Sequence, residues 1–143
     1  MSSKKYFIKP EDVETQVFDW GMIKWLSCPD VTGAEDASFG IVIIWPGKGH
    51  MRHNHPGREE LIYVISGKGE QLVSPTKEPS EKDVRAELEP GMLVYIPRGY
   101  YHETINKGWD PMVALVIYTP PGPEKDIRAL AEKVLPPGET PKF

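Results

Sequence analysis

Three histidines and two glutamates lie close together near the middle of the chain, and a fourth histidine follows later. His50, His53 and His55 precede the Glu59–Glu60 pair, and His102 is the last histidine. In an extended strand, residues two apart point to the same face with Cα atoms about 6.6 Å apart. Imidazole and carboxylate groups are ligands for divalent transition metals. Taken alone, His53 and His55 are either surface polar residues on a strand or a pair that presents two imidazoles to one metal ion.

Alternation alone does not identify the acidic member of this site. Pro56-Gly57 predicts a turn, because proline does not continue a ladder and glycine accepts turn geometry. A second strand would then return past the histidines, beginning near Glu59 and Glu60. The residues on the two faces of that strand are equally apolar, so both glutamates remain candidates at this point.

Short apolar segments separated by Gly and Pro turns must position these residues. Such segments at this spacing predict an all-β sandwich or barrel. The predicted strands are Thr15–Trp20, Met22–Leu26, Phe39–Trp45, Leu61–Ile65, Glu70–Val73, Val84–Leu88, Met92–Ile96, Glu103–Asn106 and Met112–Thr119.

The segment near the C-terminus has helical spacing instead. Apolar residues recur at i, i+3, i+4 and i+7 from Ile127 to Val134, Pro123 suits the first turn, and Pro136 ends the pattern. We expect a helix over 123–135 and a flexible tail over 136–143. The whole chain, 1–143, is expected to form one domain.

Two spaced patterns cover residues 47–106 and resemble the two motifs of the cupin superfamily. They read Gly47-x5-His53-x-His55-x4-Glu60-x6-Gly67 and Gly91-x5-Pro97-x-Gly99-x2-His102-x3-Asn106. The resemblance implies a jelly-roll β-barrel in which His53, His55, Glu60 and His102 bind one divalent metal. It thus favours Glu60 over Glu59, which becomes an exposed salt-bridge partner. Asn106 is expected to make structural hydrogen bonds.

Four protein ligands leave about two positions open on an octahedral ion, which would be Fe²⁺, Mn²⁺, Ni²⁺, Co²⁺ or Zn²⁺. We therefore expect an enzyme that acts on a small oxygenated metabolite. Dioxygenase chemistry ranks first, because substrate and dioxygen can then bind together. The alternatives are an isomerase, decarboxylase or lyase of a sugar or organic acid, and a non-catalytic small-molecule-binding cupin.

Residues beside the ligand positions are candidates for catalysis or substrate binding. His50 is either an acid or base at the barrel mouth or a solvated loop histidine. Arg52 and Tyr101 are further candidates that could hold a carboxylate or phenolate. Arg98 and Tyr100 are placed similarly, although surface packing explains all four equally well.

Composition limits the partners. The net charge of −4 provides no basic field for nucleic acid, and no apolar segment is long enough to span a membrane. Cys28 is the single cysteine, so no intrachain disulfide forms, and a cytoplasmic location is expected. Exposed strand edges and aromatic residues such as Trp20, Trp25, Phe39 and Trp45 predict a homodimer.

Overall fold

The computed structural model describes residues 5–140, which form two antiparallel β-sheets. The larger sheet has the strand order β11-β1-β2-β3-β10-β5-β8, and the smaller has the order β4-β9-β6-β7. The strands are β1 (Thr15–Phe18), β2 (Gly21–Ser27), β3 (Ser38–Ile44), β4 (Gly49–His53), β5 (Glu59–Ser66), β6 (Gly69–Ser74), β7 (Val84–Leu88), β8 (Leu93–Ile96), β9 (Tyr101–Asn106), β10 (Met112–Thr119) and β11 (Lys133–Leu135). The helices are the 3₁₀ turn Pro10–Asp12, α1 (Pro29–Thr32) and α2 (Pro123–Ala129).

The core lies between the sheets and is built from alternate strand residues. In β10, Met112, Ala114 and Val116 are buried and their neighbours are only partly covered. Leu88 of the smaller sheet joins the same cluster. Burying one side chain of this size stabilises the folded state by about 2 kcal/mol. Alternate residues of each strand provide this burial, which favours packing the two sheets face to face.

The predicted all-β class is confirmed, and each of the nine predicted strands is present with its ends shifted by at most a few residues. β4, which was expected only as an extended segment around His53 and His55, is short and has no fully buried residue. β11 was not predicted and lies inside the predicted helix.

The predicted helix over 123–135 is wrong beyond Ala129. Ile127 is buried as expected, but Leu130 is 78% exposed, so the apolar spacing does not continue one buried face. Lys133–Leu135 instead pairs antiparallel with β1, where Leu135 lies opposite Thr15. This pairing satisfies backbone hydrogen-bonding groups along the edge of β1, and a longer helix would leave that edge unpaired. The proposed tail reaches residues 141–143, which lie outside the described part of the chain.

The outer face of the larger sheet is apolar. Two rows of paired residues cross neighbouring strands on this face. They are Ile41, Leu115, Tyr63 and Leu93, and Phe39, Ile117, Leu61 and Tyr95. Tyr63, Leu93 and Tyr95 are 44%, 59% and 52% exposed. Phe39 and Ile41 thus belong to an outer surface rather than to the core, while Trp25 is a core residue.

Candidate metal centre

His53 and His102 lie opposite each other on neighbouring strands. β4 ends at His53 and β9 begins at Tyr101, and His53 lies opposite His102 in the ladder. Their ring centroids are 4.3 Å apart. His102 is 3% exposed, because its position on β9 alternates inward. Strand pairing therefore brings together two histidines that are far apart in sequence.

His55 and Glu60 are placed by the turn between β4 and β5. The His55 carbonyl accepts a hydrogen bond from the Arg58 N–H at 3.1 Å, and Gly57 has φ +76. Pro at the second and Gly at the third position of such a turn is the type II pattern. Since β5 begins at Glu59, Glu60 points inward and is 4% exposed. The predicted change of register at Pro56-Gly57 is confirmed.

One detail of the expected geometry differs. His53 and His55 do not share a strand, because β4 ends at His53 and His55 reaches the centre from a loop. The side chain of Asn54 donates a hydrogen bond to the Gly99 carbonyl at 3.0 Å. This contact holds the loop against the segment that leads into β9.

The ring nitrogens of the three predicted histidine ligands converge, and Glu60 approaches two of them. One ring nitrogen each of His53, His55 and His102 lies within 4.8 Å of the other two. Glu60 Oε1 is 3.0 Å from His102 Nε2 and 3.7 Å from His55 Nε2. Metal–ligand bonds of about 2.1 Å separate neighbouring ligands on an octahedral ion by about 3 Å. The 3.0 Å separation of Glu60 and His102 has this spacing, and the wider separations, 3.7 Å and up to 4.8 Å, would shorten around a shared ion.

Three of these atoms are buried without a hydrogen-bond partner among residues 5–140: His55 Nε2, Glu60 Oε1 and His102 Nε2. Leaving a buried polar atom unpaired costs about 1–3 kcal/mol, so such atoms rarely cluster without a reason. An ion that accepts their lone pairs would satisfy all three at once. The residues therefore fit a divalent metal.

Backbone carbonyls fix the orientation of two imidazoles. His53 Nδ1 lies 2.6 Å from the Met51 carbonyl, and His102 Nδ1 lies 3.2 Å from the Tyr100 carbonyl. A carbonyl only accepts, so in each neutral ring Nδ1 carries the proton and Nε2 keeps its lone pair. This arrangement of outer partners is typical of histidine ligands.

Burial also keeps the ligands in the form that binds metal. Burial, with the neighbouring imidazoles as a smaller cause, lowers the pKa of His53 to about 4 and the pKa of His55 to about 3. Both rings are therefore neutral near pH 7. Burial, with the nearby charges of Glu60 and Glu124 as smaller causes, raises the pKa of Tyr118, so this phenol stays protonated.

His50 lies next to the ligands. It pairs with Thr104 in the β4–β9 ladder and packs edge-on against Trp20 at 4.0 Å, while its ring is 5.2 Å from that of His53. Burial first, then His53 and His102, lowers its pKa to about 3. The solvated-loop alternative is wrong, because the side chain sits against an aromatic ring at the cavity wall.

The cluster opens into a cavity of about 1010 Å³. Its wall includes three of the four histidines, apolar side chains of β1 and α2, and charged groups at the mouth. The wall also includes Asp19, Trp20, Lys48, His50, Arg58, Asp126 and Glu132. A chamber of about 40 Å³ shares His50 and His53 with this cavity and is also lined by Glu60 and His102. This volume suits a single small species.

Arg52 and Tyr101 are not brought to the cluster. Arg52 is bound to Asp83 at 2.9 Å and donates to the Thr76 and Glu78 carbonyls, which ties β4 to the β6–β7 loop. Tyr101 precedes the inward-facing His102 and therefore points to the other side of β9. Neither residue lines either cavity at the cluster in the described structure. Strand alternation explains the position of Tyr101, whereas Arg52 lies in the irregular stretch of β4 where the register shifts between His50 and His53.

Glu59 and Asn106 have the positions predicted for them. Glu59 accepts a hydrogen bond from the Tyr95 hydroxyl and lies 3.9 Å from Arg98. Asn106 is fully buried. Its side chain donates to the Ile44 and Asp110 carbonyls and accepts from the Gly108 N–H. Arg98 therefore pairs on the surface, and Asn106 joins the ends of two strands.

Sequence reasoning missed Arg58 and Lys48 as cavity residues. Arg58 could have been found, because it occupies the fourth position of the predicted Pro56-Gly57 turn, opposite His55. Lys48 lies between Gly47 of the first motif and the start of β4, and no motif or periodic pattern marks it in the sequence.

Residues 40–118 match the family model described as Cupin domain. This chain belongs to the cupin family. Among solved structures, the oxalate decarboxylase of Lactobacillus farciminis in a formate complex resembles this cupin with a TM-score of 0.69 and 25% identity. The match covers 78% of this chain and 32% of that protein. The oxalate decarboxylase of Bacillus subtilis, a protein with Mn(II) centres, superposes with a TM-score of 0.62 over 71% of this chain and 26% of that one, at 24% identity.

Curated relatives extend the comparison. The glucose-6-phosphate isomerase of Thermococcus onnurineus is 36% identical over 107 residues, which is 68% of this chain and 54% of that protein. Protein SchB of Streptomyces halstedii is 30% identical over 108 residues, 75% of this chain and 72% of that protein. This cupin therefore spans about half the length of the isomerases it matches.

In the described part of the chain no helix is long and apolar enough to cross a membrane. The cytoplasmic location expected from the sequence stays a prediction.

Proposed function

We propose that this cupin is a divalent-metal-dependent enzyme that isomerises or decarboxylates a small oxygenated metabolite without consuming dioxygen. The observation that carries the proposal is the set of unpartnered donor atoms of His55, Glu60 and His102, of which His55 also lines the large cavity. A site built only for stability would pair such atoms internally. Open cavities with a few convergent polar groups are typical of substrate sites.

In this proposal His53, His55, Glu60 and His102 hold the ion. A bound divalent ion acts as a Lewis acid that polarises a substrate oxygen. The candidates are Fe²⁺, Mn²⁺, Ni²⁺, Co²⁺ and Zn²⁺. The Mn(II) centres of the Bacillus subtilis oxalate decarboxylase support Mn²⁺ as the first ion to test.

His50 would contribute a hydrogen bond rather than act as a base. Its pKa of about 3 makes it a weak base near pH 7, but a neutral imidazole still has one N–H donor. Isomerisation and decarboxylation of a carbonyl compound both place negative charge on a substrate oxygen. A donor fixed against Trp20 stabilises that charge without reorganising.

The relatives support non-oxidative chemistry over the dioxygenase that the sequence ranked first. The curated matches include glucose-6-phosphate isomerases, and solved structures of the same fold include oxalate decarboxylases. Neither printed activity is a dioxygenation. We therefore place isomerase and decarboxylase chemistry first and dioxygenase chemistry behind them.

The test uses Mn²⁺-loaded protein in D₂O with a panel of 2-hydroxy acids, 2-oxo acids, aldoses and ketoses, followed by proton NMR. We expect at least one substrate to change at the same rate with and without oxygen. His102→Ala should abolish turnover, whereas Glu103→Gln, at the neighbouring outward position of β9, should retain it. Turnover that requires oxygen would contradict the proposal, and tight binding without turnover across the panel would favour a binding protein.

We further propose that two copies pair through the apolar outer face of the larger sheet. The exposed Tyr63, Leu93 and Tyr95 lie in two apolar rows that cross four neighbouring strands. Monomers rarely expose a continuous apolar face of this extent. A second copy offers the same surface, so one two-fold axis would cover both faces.

A further inference from the structure

We propose that the guanidinium of Arg58 binds a carboxylate of the substrate, which makes the substrate a small organic acid. This inference rests on the proposed function, because it concerns the ligand of the same cavity. It assigns a role to a residue that occupies an unspecified position of the first cupin motif, between His55 and Glu60, and that no ligand prediction included.

The turn between β4 and β5 places Arg58 beside the metal ligands. His55 is the first residue of this turn and Arg58 the fourth, and the Arg58 N–H is bonded to the His55 carbonyl. The Cα atoms at the ends of such a turn lie within about 7 Å of each other. Both side chains line the same cavity.

Backbone contacts hold the guanidinium in place and leave donors free. Its two terminal nitrogens donate to the Pro56 and Pro121 carbonyls, each at 3.2 Å. Nε is buried without a hydrogen-bond partner among the residues that the structure describes. Arginine has five N–H donors, so two bonds to carbonyls leave donors that a ligand can use.

The segment before α2 is shaped to fit this side chain. A Cβ on Gly122 would lie 2.5 Å from an Arg58 terminal nitrogen, and Gly122 has φ +144, which favours glycine. The guanidinium is therefore packed between the turn and the chain that enters α2. A preorganised cation loses less conformational entropy on binding a ligand than a free surface side chain does.

The distribution of charge favours a carboxylate over a phosphate ester. The other cation lining the cavity, Lys48, is exposed, and so are Asp19, Asp126 and Glu132. These three acidic groups at the mouth would repel a phosphate dianion. Arg58 is half-buried and offers the planar fork that matches a carboxylate. A monoanion whose oxygens also reach the metal would satisfy both sites.

The competing role for Arg58 is purely structural, since its bond to the Pro121 carbonyl also ties the chain before α2 to the turn. The two roles predict different effects of replacing Arg58 on the affinity for charged and uncharged ligands. A clamp alone would affect the binding of charged and uncharged ligands equally. A carboxylate anchor would affect only the charged one.

The experiment measures the dissociation constants of glycolate and glycolamide by calorimetry on Zn²⁺-loaded protein, without turnover. Glycolate and glycolamide share a skeleton and differ in charge. Arg58→Gln should weaken glycolate binding at least about tenfold and change glycolamide binding by less than about twofold. Arg58→Lys should restore part of the loss, and Arg85→Gln, in a surface pair with Glu70, is the control that should match wild type.

Several results would overturn the inference: equal loss for both ligands, unchanged glycolate binding in Arg58→Gln, or no glycolate binding by the wild type. Zinc content and thermal unfolding of each variant identify a folding defect, and Arg58→Lys then decides the question. Failure of the proposed function has a different signature, because that proposal fails through absent metal or oxygen-dependent turnover. If turnover proved to depend on oxygen, selective binding of glycolate through Arg58 would still be expected.

Discussion

At the scale of single residues, the centre combines neutral imidazoles with polar atoms that lack partners. Three buried atoms, on His55, Glu60 and His102, have no hydrogen bond within residues 5–140, which destabilises the metal-free protein. Binding an ion would recover this free energy and stabilise the fold by mass action. The residue types of this set were predictable from motif spacing, but the unpartnered state was not, because it depends on every neighbour in space.

The lowered histidine pKa values predict how the metal-free protein responds to acid. His50, His53 and His55 have folded-state pKa values of about 3, 4 and 3, below the unfolded value of about 6.5. Between these values the unfolded state binds more protons, so stability is fully present above pH 6.5 and falls towards pH 4. Each group contributes up to about 1.4 kcal/mol per pH unit. Urea unfolding at pH 7.5, 6 and 5 measures the slope.

His50→Phe is the matched variant for this pH series, because it removes one titrating group and keeps a ring against Trp20. We expect its stability to fall less steeply between pH 6.5 and 4 than that of the wild type. A free energy of unfolding that rises with acidification in this range would contradict the placement of these side chains.

At the scale of elements, the turn at Pro56-Gly57 could be predicted from local chemistry, and β11 could not. The turn depends on the conformational preferences of two residues. β11 depends on an open edge of β1, more than a hundred residues earlier, where the ladder forms. Helical spacing from Ile127 to Val134 is a local signal, and tertiary pairing overrides it.

Replacing Leu135 tests β11. Leu135 is 9% exposed, so Leu135→Ala should reduce the free energy of unfolding by about 2–3 kcal/mol. Lys133→Ala, on the same strand but exposed, should stay within about 0.5 kcal/mol of wild type. Urea denaturation measures both. Equal small effects would mean that Leu135 is not packed as the structure places it.

At the scale of the whole molecule, the two faces of the larger sheet have different roles. Its inner face bears Glu60 and the core, and its outer face bears the apolar rows proposed as a dimer interface. The sequence could not separate these faces in β5, because both are apolar. Burial decides the matter, since Ile62 is 4% exposed and Tyr63 44% exposed.

Leu93→Glu tests the dimer. Leu93 lies on the edge strand β8 and is 59% exposed, so a charge there should leave the fold intact and disrupt pairing. We expect light scattering after gel filtration to give a dimer mass for wild type and a monomer mass for the variant. Arg85→Glu, on the smaller sheet, should remain a dimer. A wild-type monomer at micromolar concentration would refute this assembly.

The central claim is that this cupin holds one divalent ion on His53, His55, Glu60 and His102, and the metal content of the purified protein tests it most directly. Protein stripped with chelator, reloaded with Mn²⁺ and desalted should contain about one ion per chain by mass spectrometry. Glu60→Gln should lose most of it, since even outer-shell changes lower metal affinity about 10- to 100-fold, whereas Glu59→Gln should retain it. Substoichiometric metal in wild type, or equal retention by both variants, would contradict the account.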